Sequence, residues 1–172
     1  PDARVLDVGG GDGEPLNYLL RLRSDISVTT IDPAAEVGIW LDPQFAARVE
    51  RLPRTTLEDF LNSGRPRPDV LMLSDVVHHI PVSIRRGFFA SVGSLLISQP
   101  TLRIVIKDVE PGFARARLGY WADRYVTGDR AVSQIGRADL TALVQEAMGP
   151  LRREELGLFA VDAPNYAIAF FK

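Results

Sequence analysis

Four glycines crowd into Gly9-Gly10-Gly11-Asp12-Gly13, directly after the apolar run Val5-Leu6-Asp7-Val8. Glycine lets the backbone take positive φ and removes the Cβ that would hold a ligand off, while open N–H groups at a helix start favour polar or anionic groups. Leu16, Leu19 and Leu20 then recur at helical spacing, so the stretch reads strand, glycine turn, helix. That is the pattern of a nucleotide cradle. A dinucleotide fingerprint requires glycine at its first, third and sixth positions. Counted from Gly9 and Gly11 the sixth position is Glu14, and counted from Gly11 and Gly13 it is Leu16, so neither register fits.

Two more groups could do chemistry. Asp32-Pro33 ends the next apolar run, Ile26 to Ile31, and an acid at the end of a second parallel strand finishes at the same edge as the glycine turn, where a ribose diol would reach it. His78 and His79 are the only two histidines, three and four residues beyond Asp75. Read as one helical turn, that spacing puts them on the side of Asp75. Three roles compete: capping or packing beneath a ligand, general base catalysis by an imidazole that titrates near neutral pH, and a divalent-metal site.

The elements that must hold these residues follow in alternation. A helix runs from Glu14 to about Arg23, a strand over 26–31, and a broken helix or loop over 34–47 with Asp42-Pro43 inside it. A short strand spans 48–52, a helical turn 56–61, and Val70-Leu71-Met72-Leu73, apolar throughout, suits a central strand covered on both faces. A helix opens at Pro81 with Ile84, Phe88, Val92, Leu95 and Leu96 as its apolar stripe, and Gln99-Pro100 closes it. A fifth strand spans 103–107, with Asp108 to Gly112 as a polar loop. Phe113 to Val126 is loosely helical, a helix carries Leu140, Leu143, Val144 and Ala147, and strands over 154–159 and 166–171 form an antiparallel pair around Pro164-Asn165. The alternation predicts an α/β fold with a doubly wound, mostly parallel sheet.

Asp7, Gly9, Gly11 and Gly13 satisfy the spacing acid-x-Gly-x-Gly-x-Gly, which resembles motif I of the class I S-adenosyl-L-methionine-dependent methyltransferases. The resemblance extends over nearly the whole chain: Asp32 after the second strand, the fourth strand running into Ser74-Asp75-Val76-Val77-His78-His79-Ile80, the fifth ending in Lys107-Asp108, and the closing strand pair. It implies a seven-stranded sheet of order 3-2-1-4-5-7-6 in a single domain over 1–172 that lacks amino-terminal cap helices. It also implies that Asp7, Gly9, Gly10, Gly11, Asp32 and Pro33 bind the cofactor. Backbone groups of Gly9 and Gly11 would meet its methionine part, Asp7 would orient the loop or the cofactor's amino group, and Asp32 would take both ribose hydroxyls. Many relatives carry an adenine-binding acid after the third strand; here Thr55-Thr56-Leu57-Glu58 stands instead, so the Thr56 hydroxyl and the Leu57 face are expected in its place, with Ser74 across from the glycine turn. His79 and His78 are the candidates for catalysis. The Glu-x-x-Glu-His metal motif of some methyltransferases is matched only loosely by Asp-x-x-His-His, and no metal is assigned. Asp108 and the Tyr120, Trp121, Tyr125 group are expected to line an acceptor pocket, or the aromatics simply to pack a helix.

Composition narrows the partners. The 172 residues carry 20 basic and 22 acidic side chains, a net charge of −2, which gives no global attraction to phosphate backbones, and the arginines are scattered. Nucleic acid is therefore not expected, and a small-molecule acceptor is. With no cysteine, disulfides and thiolate metal sites are excluded within the chain, in keeping with a cytoplasmic setting. No apolar run reaches the roughly 18 to 20 residues of a membrane span. Two other functions fit part of the pattern: a non-catalytic methyltransferase-like binding domain, and an NAD-dependent oxidoreductase, which would share the turn and Asp32 but require the missing third glycine. Oligomeric state and the identity of the acceptor are not readable from these residues.

Overall fold

A computed structural model describes residues 2–112, 132–157 and 165–172. Its strands are β1 (Ala3–Val8), β2 (Ile26–Asp32), β3 (Val49–Pro53), β4 (Val70–Ser74), β5 (Arg103–Val109), β6 (Arg152–Glu155) and β7 (Asn165–Phe171). The helices are α1 (Glu14–Leu22), α2 (Leu57–Asn62), α3 (Val82–Ser98) and α4 (Arg137–Met148), with 3-10 turns at Pro43–Arg48 and Val77–His79. The sheet has seven strands in the order β3-β2-β1-β4-β5-β7-β6, parallel except where β7 runs antiparallel to β5 and β6. The chain divides into two compact units, 1–74 and 75–172.

In the first unit β1 runs parallel to β2 in the register Ala3↔Ile26 to Val8↔Ile31, with β4 on its other side, Asp7 opposite Met72. Leu16 and Leu20 of α1 are buried with Val5, Ile26, Val28, Phe45 and Val49 in one apolar cluster. Each such side chain contributes about 1.5–3 kcal/mol by leaving water. The turn from α1 into β2 is stitched by Arg48, whose guanidinium donates to the carbonyls of Leu20 (3.0 Å), Ile26 (3.1 Å) and Arg23. These include carbonyls at the helix end that have no partner within the helix. Residues 34–42 form no helix; only Pro43–Arg48 coils, as a 3-10 turn started by Asp42, whose side chain accepts from Gln44 N–H.

In the second unit α3 packs on α4, and Phe89, Val92, Leu95, Leu96, Leu140 and Val144 are buried. The expected stripe of α3 is buried at Val92, Leu95 and Leu96 and departs from expectation only in the first turns, where Ile84 is 56% exposed and Phe88 half-buried while Arg85, 5% exposed, and Phe89 are buried. The cause is a set of backbone carbonyls outside the helix. Arg85 donates from Nε to Ile80 O at 2.8 Å and from Nη2 to the carbonyls of Ser133 and His78. β5 extends to Val109, taking Asp108 out of the expected loop into the ladder opposite Tyr166. β6 lies about two residues earlier than expected, pairing Arg152↔Phe171 to Glu155↔Ile168. The aromatic group Phe113, Tyr120, Trp121 and Tyr125 and the turn residue Pro164 lie outside the described residues.

Candidate functional site

The first group of candidate residues gathers in unit 1 where β1 and β2 end. Val8 pairs with Ile31, so Asp32 sits one place beyond the last paired residue, level with the start of the glycine turn. Gly9 and Gly10 both donate to Ile31 O, at 2.8 and 3.2 Å, which fastens the turn to the end of β2. The Asp32 carboxylate faces the turn: Oδ2 accepts from Gly11 N–H at 3.1 Å and Oδ1 from Ala34 N–H at 2.8 Å. Each carboxylate oxygen offers about two lone-pair sites, so each can accept a further hydrogen bond. Beside it the Cβ direction of Gly11, at φ 50°, meets nothing within 4 Å. An open backbone face next to an anionic double acceptor has the chemistry to receive a vicinal diol.

The other glycines serve the protein itself. A Cβ on Gly10 would collide with Thr30 Oγ1 and come within 2.6 Å of Asp7 Oδ2, and one on Gly13 would lie 2.8 Å from Gly38 Cα. Glycine at 10 is therefore required by the buried pair beneath it, and at 13 by a neighbouring backbone. Asp7 is 4% exposed and accepts from Thr30 Oγ1 at 2.8 Å. Burial raises its carboxyl to about 6, against the lowering effect of the Thr30 hydroxyl, and the charge of Asp32 adds to the rise. Thr30, wholly buried, is a site residue that the motif spacing does not reveal; the signal available was a hydroxyl in the middle of an apolar strand.

Pro33 is exposed immediately after Asp32. Thr55 N–H donates to Asp32 O at 3.0 Å, which brings the start of α2 to the same edge. There Thr56 caps α2: its hydroxyl accepts from Asp59 N–H at 3.1 Å and Asp59 Oδ2 accepts from Thr56 N–H at 2.9 Å, a reciprocal capping box. Leu57, 5% exposed, points into the core. Ser74 is the last residue of β4, two places beyond the partner of Asp7.

In unit 2, residues 75–79 do not make the single helical turn that the Asp75, His78, His79 spacing suggests. Asp75 takes φ 57°, a left-handed conformation rare outside glycine, and the 3-10 turn begins only at Val77. Asp75 is tied to β5 twice, by its N–H to Lys107 O at 2.8 Å and by an ion pair with Lys107 Nζ. The next residue of β5 holds the histidine: His78 Nδ1 lies 2.7 Å from Asp108 Oδ1, and Asp108 Oδ2 accepts from His78 N–H at 3.2 Å. Asp108 is wholly buried and His78 6% exposed, so Asp108 anchors a histidine and does not line a pocket wall as expected. A carboxylate on Nδ1 orients the ring and suits the tautomer that carries its proton there. His79 is exposed and packs its ring on that of His78, centroids 4.1 Å apart. Among the described residues no group of three or more metal-ligating side chains converges.

Solved structures share this architecture. An O-methyltransferase family protein from Burkholderia thailandensis superposes with a TM-score of 0.72 at 18% identity, over 99% of this chain and 51% of its own. Human N-acetylserotonin methyltransferase, solved with SAM, gives 0.73 at 18% identity over 99% of this chain and 47% of its own. The fold is that of the class I methyltransferases. A 1,6-didemethyltoxoflavin-N1-methyltransferase from B. thailandensis, solved with that compound and S-adenosylhomocysteine, shares the methyltransferase fold at a TM-score of 0.66 and 20% identity, over 98% of this chain and 69% of its own. The chain spans about half the length of the first two of these methyltransferases. No protein-family model and no curated protein matches its sequence.

Proposed function

We propose that this chain is a methyltransferase domain that binds S-adenosyl-L-methionine and passes its methyl group to an oxygen, nitrogen or carbon nucleophile of a small molecule, leaving S-adenosyl-L-homocysteine. The observation that carries the reading is the Asp32 carboxylate turned onto the glycine turn beside the open face of Gly11. Its donor set suits the cofactor: two oxygens with acceptor capacity for the ribose hydroxyls, open backbone for the amino-acid end, and two neighbouring carboxylates, Asp7 and Asp32, for a ligand carrying positive charge. Gly9, Gly10 and Pro33 adjoin that surface in sequence, and Thr56, Leu57 and Ser74 belong to the same reading as residues of the cofactor site. The structural neighbours N-acetylserotonin methyltransferase and 1,6-didemethyltoxoflavin-N1-methyltransferase support a small-molecule acceptor. A cytoplasmic setting belongs to the same reading.

When bound, the cofactor supplies an already activated methyl group, so the protein has to position the reactants, exclude water and take a proton where the acceptor must lose one. For that proton the chain offers His78. Asp108, 2.7 Å from its Nδ1, orients the ring, and a carboxylate at that distance favours an imidazolium. His79, stacked on His78, is the second candidate.

The test is calorimetric. Asp32→Ala removes two charge-assisted acceptor positions, each worth about 1.5–3 kcal/mol, and is expected to weaken S-adenosylmethionine binding at least about tenfold. Unchanged affinity removes Asp32 from the site, and binding of NAD in place of S-adenosylmethionine overturns the reading in favour of an oxidoreductase.

A further inference from the structure

Residues 37–42 lie along the glycine turn as a strap. Gly38 N–H donates to Gly11 O and Trp40 N–H to Asp12 O, both at 2.8 Å, so the two carbonyls that flank the centre of the turn are held from one side. Gly13 and Gly38 meet backbone to backbone, and Arg51 Nη1 donates to Gly38 O at 3.2 Å. The strap is then locked to the helix that the turn launches. Asn17, on α1, donates from Nδ2 to Trp40 O at 2.9 Å and accepts from Asp42 N–H at 2.8 Å through Oδ1. One amide thus closes a loop of contacts running α1, strap, glycine turn and back to α1.

We propose that Asn17 is a positioning residue for the cofactor: it never touches the ligand, but by clamping the strap it keeps the Gly11 and Asp12 carbonyls turned away from the open face on which the ligand rests. The proposal rests on the cofactor reading above. A peptide turn held only by its own glycines samples many conformations, because glycine loses more freedom on ordering than any other residue. A turn fastened in advance spares binding that ordering cost, so the clamp acts through affinity.

The experiment compares wild type, Asn17→Leu and Asn17→Asp by calorimetry with S-adenosylhomocysteine, by amide hydrogen exchange over 38–42, and by melting temperature without ligand. Asn17→Leu keeps the side-chain size and loses both hydrogen bonds; Asn17→Asp keeps the acceptor for Asp42 N–H and loses the donor to Trp40 O. Faster exchange at 38–42 together with a loss of affinity of about tenfold or more in Asn17→Leu, and a smaller loss in Asn17→Asp, supports the proposal. Should Asn17→Leu fail to fold, Asn17→Asp decides by the same two readouts. Faster exchange with unchanged affinity overturns the positioning role while leaving the cofactor reading intact. Wild type that binds neither S-adenosylhomocysteine nor S-adenosylmethionine overturns both.

Discussion

At the scale of single residues, Asp7 and Gly10 show how the site is built on a stability cost. The Asp7 carboxyl titrates at about 6, against 3.8 for the unperturbed group, chiefly because it is buried. Between those values the folded chain holds a proton that the unfolded chain has released. Stability from this group is therefore full below 3.8 and declines as pH rises through about 6. Asp7→Asn keeps an oxygen for the Thr30 hydroxyl and removes the ionisation. It is expected to raise unfolding free energy at pH 7.5 by up to about 3 kcal/mol, a gain that vanishes below about pH 4. Denaturant titrations at the two pH values measure it, and a gain independent of pH would remove Asp7 as its source. Gly10→Ala drives a methyl group into Thr30 and Asp7 and is expected to destabilise by about 2 kcal/mol or more. Adding Thr30→Ala should recover part of that loss in the same titration. No recovery would place the strain elsewhere.

At the scale of elements, α3 and the 75–79 turn carry features that periodicity could not reveal. At the start of α3 two pairs compete for burial, Ile84 with Phe88 and Arg85 with Phe89, whereas Val92, Leu95 and Leu96 are buried as expected. Hydropathy favours the first. The structure takes the second because the Arg85 guanidinium satisfies carbonyls of Ile80, His78 and Ser133, a gain that depends on residues up to 48 positions away. Arg85→Met leaves these acceptors without that donor and is expected to cost about 2–4 kcal/mol. In hydrogen exchange the turn at Val77–His79 should open more readily than α4, and equal protection in both would contradict the assignment. The same long-range logic moved Asp108 from an expected loop into β5, where its pairing with His78 is local to neither residue's sequence neighbourhood. By contrast α1, β1 and β2 were legible to within a residue or so, since each has apolar spacing of one period bounded by glycine, a charged turn or proline.

At the scale of the whole molecule, a doubly wound, mostly parallel sheet was readable because strand and helix alternate along the sequence, while the strand order itself came from the resemblance to class I methyltransferases. What the glycine turn holds was only half readable. The spacing of Asp7, Gly9, Gly11 and Gly13 did not show that a Cβ at Gly10 or Gly13 would collide with the protein itself, whereas one at Gly11 would meet empty space. A ligand panel tests the molecule as a unit. S-adenosylhomocysteine at 100 times its dissociation constant adds about 2.7 kcal/mol, a rise of about 5–11 °C in melting temperature for a chain of this size. The same concentration of NAD should add nothing, and silence toward both would favour a methyltransferase-like domain without catalysis.

Exposed connections are where chains ordinarily absorb insertions and deletions. The segment between Asp32 and Val37 looks suited to that, since Pro33, Ala34, Ala35 and Glu36 are all exposed. Its far end is fixed, because a side chain at position 38 would meet Gly13, so any residue added here has to bulge into solvent while Gly38 keeps its place.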